Sequence, residues 1–215
     1  MKIKCLGHSA FLITAANNIK IVTDPYATGN GINYRPINET ADIVTISHSH
    51  SDHNNSAAVK GSPVVIREKG PHIIKGIEIN AVPVYHDNTL GSQRGSVLVF
   101  CFKVDGLVVC HAGDLGHALS PREIDEIGPV DVLMLPIGGY YTIDARAASV
   151  VALSLKARIV IPMHYKTEKA DYPITGLQPF LKNRENVRQL DASEFEVTRA
   201  SLPSVTETVV LKSVN

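Results

Sequence analysis

Short apolar runs, many alternating and some continuous, are spaced along the whole chain by polar or Gly/Asn breaks. Runs at 2–6, 11–15 and 19–23 predict strands, with Asn17-Asn18 as a tight turn because Asn tolerates positive φ. A continuous run at 42–47 predicts a buried strand, and further strands are expected at 63–67 and 77–85. The runs 97–104 and 107–110, joined by Asp105-Gly106, predict a hairpin. Ser120-Pro121-Arg122-Glu123 carries a capping box with Pro at the first helical position, so a helix starts there and stops at Gly128-Pro129. A strand at 132–137 is followed by a helix at 145–156 with Asp144 as N-cap, and then a strand at 158–162. A last helix at 175–185 and strands at 187–190, 195–198 and 208–211 complete the pattern. After the strand at 42–47 a turn and a short helix at 57–60 are expected. Strands with interspersed helices, and no linker or repeat, predict one layered α/β domain over 1–215. The polar loop 26–40 is long for a simple connection, which points to a functional loop.

Composition narrows the class. A hydrophobic content of 44% supports a folded core. Lys plus Arg and Asp plus Glu each number 21, so no basic excess points to nucleic acid. No long apolar segment follows the start, which argues against a secretory signal or a membrane span. Cys5, Cys101 and Cys110 lie in strand-like runs and read as buried thiols of a reducing, cytoplasmic compartment. Nothing in the sequence decides for or against a homo-oligomer.

The densest chemistry is His48-Ser49-His50-Ser51-Asp52-His53. Three imidazoles and a carboxylate in six residues, directly after a buried strand, read as a metal motif. In an extended backbone His48, His50 and Asp52 share one side and His53 points away, so all four converge only if the chain turns at Asp52. Asp24, His86, Asp114 and His164 each follow a predicted strand as well, where sites are commonly built.

These residues resemble, in order and spacing over 24–164, the metallo-β-lactamase superfamily. Within it, Gly7-His8-Ser9, Thr23-Asp24-Pro25, His111-Ala112-Gly113-Asp114, Pro136-Ile137-Gly138-Gly139 and Pro162-Met163-His164-Tyr165 are similar to the small hydrolases of the ascorbate-6-phosphate lactonase and UPF0173 types. The resemblance implies a four-layer αβ/βα sandwich with two metals at one edge. It implies that His48, His50 and His86 hold one metal, that Asp52, His53 and His164 hold the other, and that Asp114 bridges them. Asp24 would orient a ligand from behind. His111 and His8 would support the site from behind or face substrate, the alternative for each being a structural histidine. Two departures stand out. Tyr140-Tyr141-Thr142-Ile143-Asp144 replaces the Thr-Met-Gly type sequence of related hydrolases, and the inserted domain of RNA-processing relatives is missing. The Glu that diiron flavoprotein relatives place in the cluster is His50 here.

Two divalent ions so held share a water and lower its pKa, giving a hydroxide for attack on a carbonyl or phosphorus, with Asp52 or Asp114 accepting a proton. Imidazole-rich donors suit Zn²⁺, and the carboxylates also admit Mn²⁺ or Fe²⁺. The leading expectation is a binuclear hydrolase of a small ester, lactone or phosphorylated compound. The alternatives are a phosphodiesterase or nuclease with the same metal pair, and a metal-stabilised binding protein without turnover. Arg35 and Arg94 are candidates to hold an anionic group, and Tyr140 and Tyr141 to line the pocket, against a plain surface or packing role for all four.

Overall fold

In the computed structural model, which describes residues 1–182 and 184–214, two twisted sheets face each other. Strands β1 (Lys2–Gly7), β2 (Ala10–Thr14), β3 (Lys20–Thr23), β4 (Ile43–Thr45), β5 (Val64–Ile66) and β13 (Glu194–Glu196) form a six-stranded sheet in the order β13-β1-β2-β3-β4-β5. The second sheet holds β6 (Gly70–Ile74), β7 (Ile77–Tyr85), β8 (Ser96–Val104), β9 (Leu107–His111), β10 (Val132–Pro136), β11 (Ile159–Met163), β12 (Val187–Gln189) and β14 (Glu207–Val210). Its order is β12-β14-β11-β10-β9-β8-β7-β6. Three helices, α1 (Pro121–Ile127), α2 (Ala145–Ser154) and α3 (Gln178–Leu181), lie on its outer face.

Strand periodicity builds the layers. In β8, Phe100, Phe102 and Val104 enter the core between the sheets, while Val97, Val99 and Cys101 face the helices. In β7, Ile77, Ile79 and Ala81 face inward and Val82 and Val84 outward. The outer face of the six-stranded sheet, with Leu12, Val22 and Val44, is covered by loop residues Tyr26, Ile32, Tyr34 and Ile37. The fourth layer of the sandwich is thus a loop. The Tyr26 hydroxyl pins it, its one proton lying between the carbonyls of Arg35 (2.7 Å) and Leu6 (3.0 Å). Loop 26–40 is therefore structural in its buried half, and the Arg35 backbone serves that packing.

Asn18 takes φ 65° in its turn, and Asp105 and Gly106 take 51° and 75°, as the two hairpin sequences require. Ser120 caps α1 with a complete capping box, and Asp144 caps α2. Three local expectations fail. Strand β6 was not anticipated; its Gly70-Pro71 start and shallow burial mark it as an edge strand. The helix expected at 57–60 is a single 3₁₀ turn at Ser56–Ala58, cut short by Gly61 and Pro63. The helix expected at 175–185 shrinks to Gln178–Leu181, after Pro173 and Gly176; Asn183, within that expectation, lies outside the described residues.

Direction matters most. β3, β4 and β5 run parallel, and β1 runs with β3 because each is antiparallel to β2. β9, β10, β11 and β14 are parallel, and β7 shares their direction through antiparallel β8. His8, Asp24, the His48–His53 segment, His86, Asp114 and His164 all follow carboxyl ends of these strands.

Candidate metal centre

Those strand ends deliver one cluster. The segment after β4 is bent, because the strand stops at Thr45 and the His53 N–H bonds the His50 carbonyl (3.0 Å), closing a turn over Ser51-Asp52. Two donors therefore face each way, instead of the one-sided trio an extended strand would give. His48 Nε2 lies 3.0 Å from His50 Nδ1, and these two form one donor group with His86. Asp52 and His53 form a second group with His164 and with His8.

Asp114 lies between them. Its carboxylate oxygens are 3.4 Å from His86 Nε2 and 3.8 Å from His48 Nε2 on one side, and 3.3 Å from His53 Nε2 and 3.2 Å from His164 Nε2 on the other. Gly113 takes φ 52°, and a Cβ there would meet Val97 and Ser47 at 2.7 and 2.8 Å, so only glycine lets β9 run into Asp114 at this approach. His8, Asp24 and His164 all hold positive φ (52°, 42° and 50°), a strain of about 1–3 kcal/mol each that clusters where function does.

Asp24 holds the cluster from behind. It is fully buried, accepts the Ser47 N–H (2.7 Å) and hydroxyl (2.5 Å), and accepts Nδ1–H of His53 (2.9 Å). Because Ser47 donates its proton to Asp24, its Oγ can accept from His48 Nδ1 at 2.9 Å. One carboxylate thereby sets the tautomer of two histidines, leaving each Nε2 lone pair facing the cluster. Ser47 was not singled out in the sequence; only its place just before His48 hinted at it.

His111 lies behind the cluster with both ring nitrogens engaged by backbone. Its Nε2–H donates to the Ser9 carbonyl (2.8 Å) and its Nδ1 accepts from Gly113 N–H (3.2 Å), tying the two sheets together 4.0 Å from Asp24. His8, expected in a supporting role, is instead inside the second group: its Nε2 lies 3.2 Å from Asp52 and its ring packs against that of His164 at 4.3 Å.

The electrostatics call for a cation. Asp24, Asp52 and Asp114 converge on histidines rather than on lysine or arginine. Burial alone would raise the pKa of Asp114, yet the surrounding imidazoles of His164 and His53 hold it well below the carboxylate range. Burial would raise that of Asp52 too, but hydrogen bonds from His53 and His8 outweigh it. Burial pushes His8 down to about 4 and His48 down to about 3, so these stay neutral and keep a lone pair. Burial also lowers His86. His53 goes the other way: burial opposes its charge, but Asp114, Asp24 and Asp52 raise its pKa well above the usual value. Buried Asp24 and Asp114 and the partly exposed Asp52 stand against one imidazolium, His53, which leaves an excess of negative charge and a His53 Nε2 proton that a bound cation would displace. Among the described residues, His53 Nε2, His86 Nε2 and Asp114 Oδ1 are buried with no hydrogen-bond partner. Orphaned lone pairs in a negative cluster fit divalent cations.

The cluster floors a pocket of about 230 Å³ walled by Arg94, Tyr141 and Tyr172. Arg94 and Tyr141 are thus placed at the site, whereas Tyr140 is exposed and packs on Tyr141, and Arg35 is an exposed loop residue. Tyr172 comes from a stretch with no local signal. A larger hollow of about 900 Å³ beside α2 and α3 contains none of these histidines.

A family model described as the beta-lactamase superfamily domain matches residues 2–164. The chain belongs to the metallo-β-lactamase superfamily. A UPF0173 metal-dependent hydrolase of Thermococcus kodakarensis is 34% identical over 92% of this chain and 95% of its own length. One from Pyrococcus abyssi is 33% identical over 78% of this chain and 85% of its own. A crystal structure from Thermotoga maritima, named as a candidate Zn-dependent hydrolase of the superfamily, superposes with TM-score 0.84 and 36% identity over 99% of both chains. By family, this metallo-β-lactamase-fold chain is a metal-dependent hydrolase. A diiron β-hydroxylase of Streptomyces venezuelae shares the fold alone (TM-score 0.54, 16% identity, 76% of this chain and 44% of that one), so the finer chemistry has to come from the site.

Proposed function

We propose that the chain is a binuclear hydrolase of small esters, lactones or phosphorylated compounds. The observation that carries this is Asp114, within 3.4 Å of His86 on one side and of His53 and His164 on the other. His48, His50 and His86 would hold one ion, and Asp52, His53 and His164 the second, with Asp114 shared. The three-imidazole group favours Zn²⁺, and the carboxylate-bearing group also suits Mn²⁺ or Fe²⁺. Divalent ions held there supply positive charge that polarises a scissile carbonyl or phosphoryl group and makes water acidic near neutral pH.

The protein's own part follows from its contacts. Asp24 keeps His53 and, through Ser47, His48 in the tautomer that offers Nε2. Asp114 is surrounded by imidazoles, whereas the Asp52 side chain keeps 16% exposure toward the pocket. Asp52 is therefore the group positioned to take a proton from an attacking water and pass it to the leaving group, held for that by His8. Tyr141 and Tyr172 wall the pocket and limit water around the reacting bond.

The test is a panel of lactones, carboxylic esters, phosphomonoesters and phosphodiesters with the protein loaded in turn with Zn²⁺, Mn²⁺ and Fe²⁺. Turnover is expected on at least one small-molecule class, falling 100-fold or more, on the order of a lost general base, in Asp52→Asn. No turnover with any metal, or full activity in Asp52→Asn, would contradict the proposal.

A further inference from the structure

One loop at the pocket is built with unusual economy. Asp87, directly after His86 and almost fully buried, gathers the turn 87–94 onto its carboxylate. One oxygen accepts the N–H of Thr89 (2.8 Å) and Gly91 (2.9 Å) and the Thr89 hydroxyl (2.7 Å). The other accepts the N–H of Gln93 (3.0 Å) and Arg94 (2.8 Å). The turn is closed by His86 N–H to the Gly95 carbonyl (3.0 Å) and Gly95 N–H to that of Gly91 (2.9 Å). A loop with this many internal bonds is rigid, and what it presents at the pocket is Arg94.

Arg94 is half-buried, with its guanidinium over the Tyr141 ring, 5.7 Å from its centre, in the cavity that also holds His50, His86 and Asp52. Among the described residues it has no carboxylate within ion-pair distance and makes no side-chain hydrogen bond; Arg122, Arg188 and Arg199 are paired, and Arg35 and Arg146, which are not, are exposed rather than set in the pocket. A guanidinium that lies over Tyr141 beside the metal-binding cluster, with its five donors meeting no protein acceptor among the described residues, matches a carboxylate or phosphate in two-point contact. The pocket of about 230 Å³ has room for a small anionic group beside the cluster.

We propose that the substrate is a small anion whose carboxylate or phosphate group is gripped by Arg94 while its scissile bond lies over the His/Asp cluster. This rests on the hydrolase reading of the same pocket. Asp87 is the positioning residue that sets Arg94, and Tyr141 supports the guanidinium by its ring face.

Two readouts on the zinc-loaded protein test it, with zinc content measured alongside. In the first, kcat/KM is compared for 4-nitrophenyl butyrate and for the mono-4-nitrophenyl ester of succinate, which adds a carboxylate to a similar acyl chain. The succinate ester is expected to be preferred. Arg94→Gln should reduce that preference about 10- to 100-fold, the usual worth of a charge-assisted hydrogen-bonded pair, and Arg94→Lys should restore part of it. In the second, which needs no turnover, calorimetric titration with succinate and with 2-phosphoglycolate should show binding that Arg94→Gln weakens by a similar factor. The tighter of the two identifies the head group. Equal preference in wild type and Arg94→Gln together with unchanged binding would overturn the anion anchor while leaving the hydrolase reading intact. Absence of all ester cleavage alongside Arg94-dependent anion binding would do the reverse.

Discussion

Replacing Asp24 by Asn changes one atom and tests how the cluster is held. The Asn carbonyl can keep the Ser47 N–H at 2.7 Å. Its NH₂ then stands where an oxygen accepted both the Ser47 hydroxyl and His53 Nδ1–H, at 2.5 and 2.9 Å. Two donors now face a donor in a fully buried place. His53 can relieve this by moving its proton to Nε2, where Asp114 Oδ1 waits at 3.3 Å. That tautomer removes the lone pair needed for a metal. A lost hydrogen bond to a charged group is worth about 1.5–3 kcal/mol, and removal of a carboxylate behind a ligating histidine typically lowers metal affinity about 10- to 100-fold. The ion held by Asp52, His53 and His164 should weaken by that factor. The ion held by His48, which Asp24 reaches only through Ser47, should weaken less. Zinc titration against a chromophoric chelator resolves the two affinities, and long-range ¹⁵N–¹H spectra report the His53 tautomer. Wild-type affinity at both sites in Asp24→Asn, with His53 still protonated at Nδ1, would refute the reasoning.

A Cβ at Gly116 would overlap the backbone of His86 and Asp87, so Gly116→Ala should displace His86 and cost about 1–3 kcal/mol of stability, read by denaturant unfolding together with zinc stoichiometry; a stable variant with both ions retained would contradict this packing. The metal-free protein should lose stability as pH falls below about 6.5. His8 and His48 have folded-state pKa values near 4 and 3, so in that window the unfolded chain binds more protons than the fold. The slope is at most about 1.4 kcal/mol per pH unit for each. His86 and His111 are lowered and act in the same direction; His53 is raised and acts in the opposite one, adding stability below its unfolded value that is lost as pH rises through its folded value. Urea midpoints that stay flat between pH 7 and pH 4 would show that these histidines are not buried neutral. Asp87→Asn places an NH₂ against backbone N–H groups of the 87–94 loop, and should raise KM for anionic esters with zinc content unchanged; an unchanged KM would remove Asp87 from the positioning of Arg94.

The strands were legible because both faces of the large sheet and both faces of the small one carry buried apolar residues, which stand out as runs. β6 was not, because an edge strand with Gly70, Pro71 and alternating half-exposure has neither a run nor a dry face. The cluster His48–His53 was visible as composition, and the turn that its convergence needs was expected at Asp52, where the His53 N–H to His50 carbonyl bond closes it. Order along the chain pointed to His86, Asp114 and His164. The structure adds that parallel strand direction in two separate sheets carries them to one edge. Ser47, Tyr172 and the entry of His8 into the cluster were hidden because each acts through a contact distant in sequence or through a hydroxyl with many ordinary uses. His111, adjacent to the Gly-Asp pair, has both ring nitrogens taken by backbone while it sits 4.0 Å from Asp24, a placement that only the packing of the two sheets reveals.

The central claim is that two ions share Asp114 between separate donor groups. Zinc stoichiometry by elemental analysis after equilibrium dialysis, on wild type, His86→Ala and His164→Ala, tests it most directly. The account predicts two ions per chain in the wild type and one in each variant, His86→Ala leaving the site of Asp52 and His53 and His164→Ala leaving that of His48 and His50. A single ion in the wild type, or two retained in either variant, would contradict it.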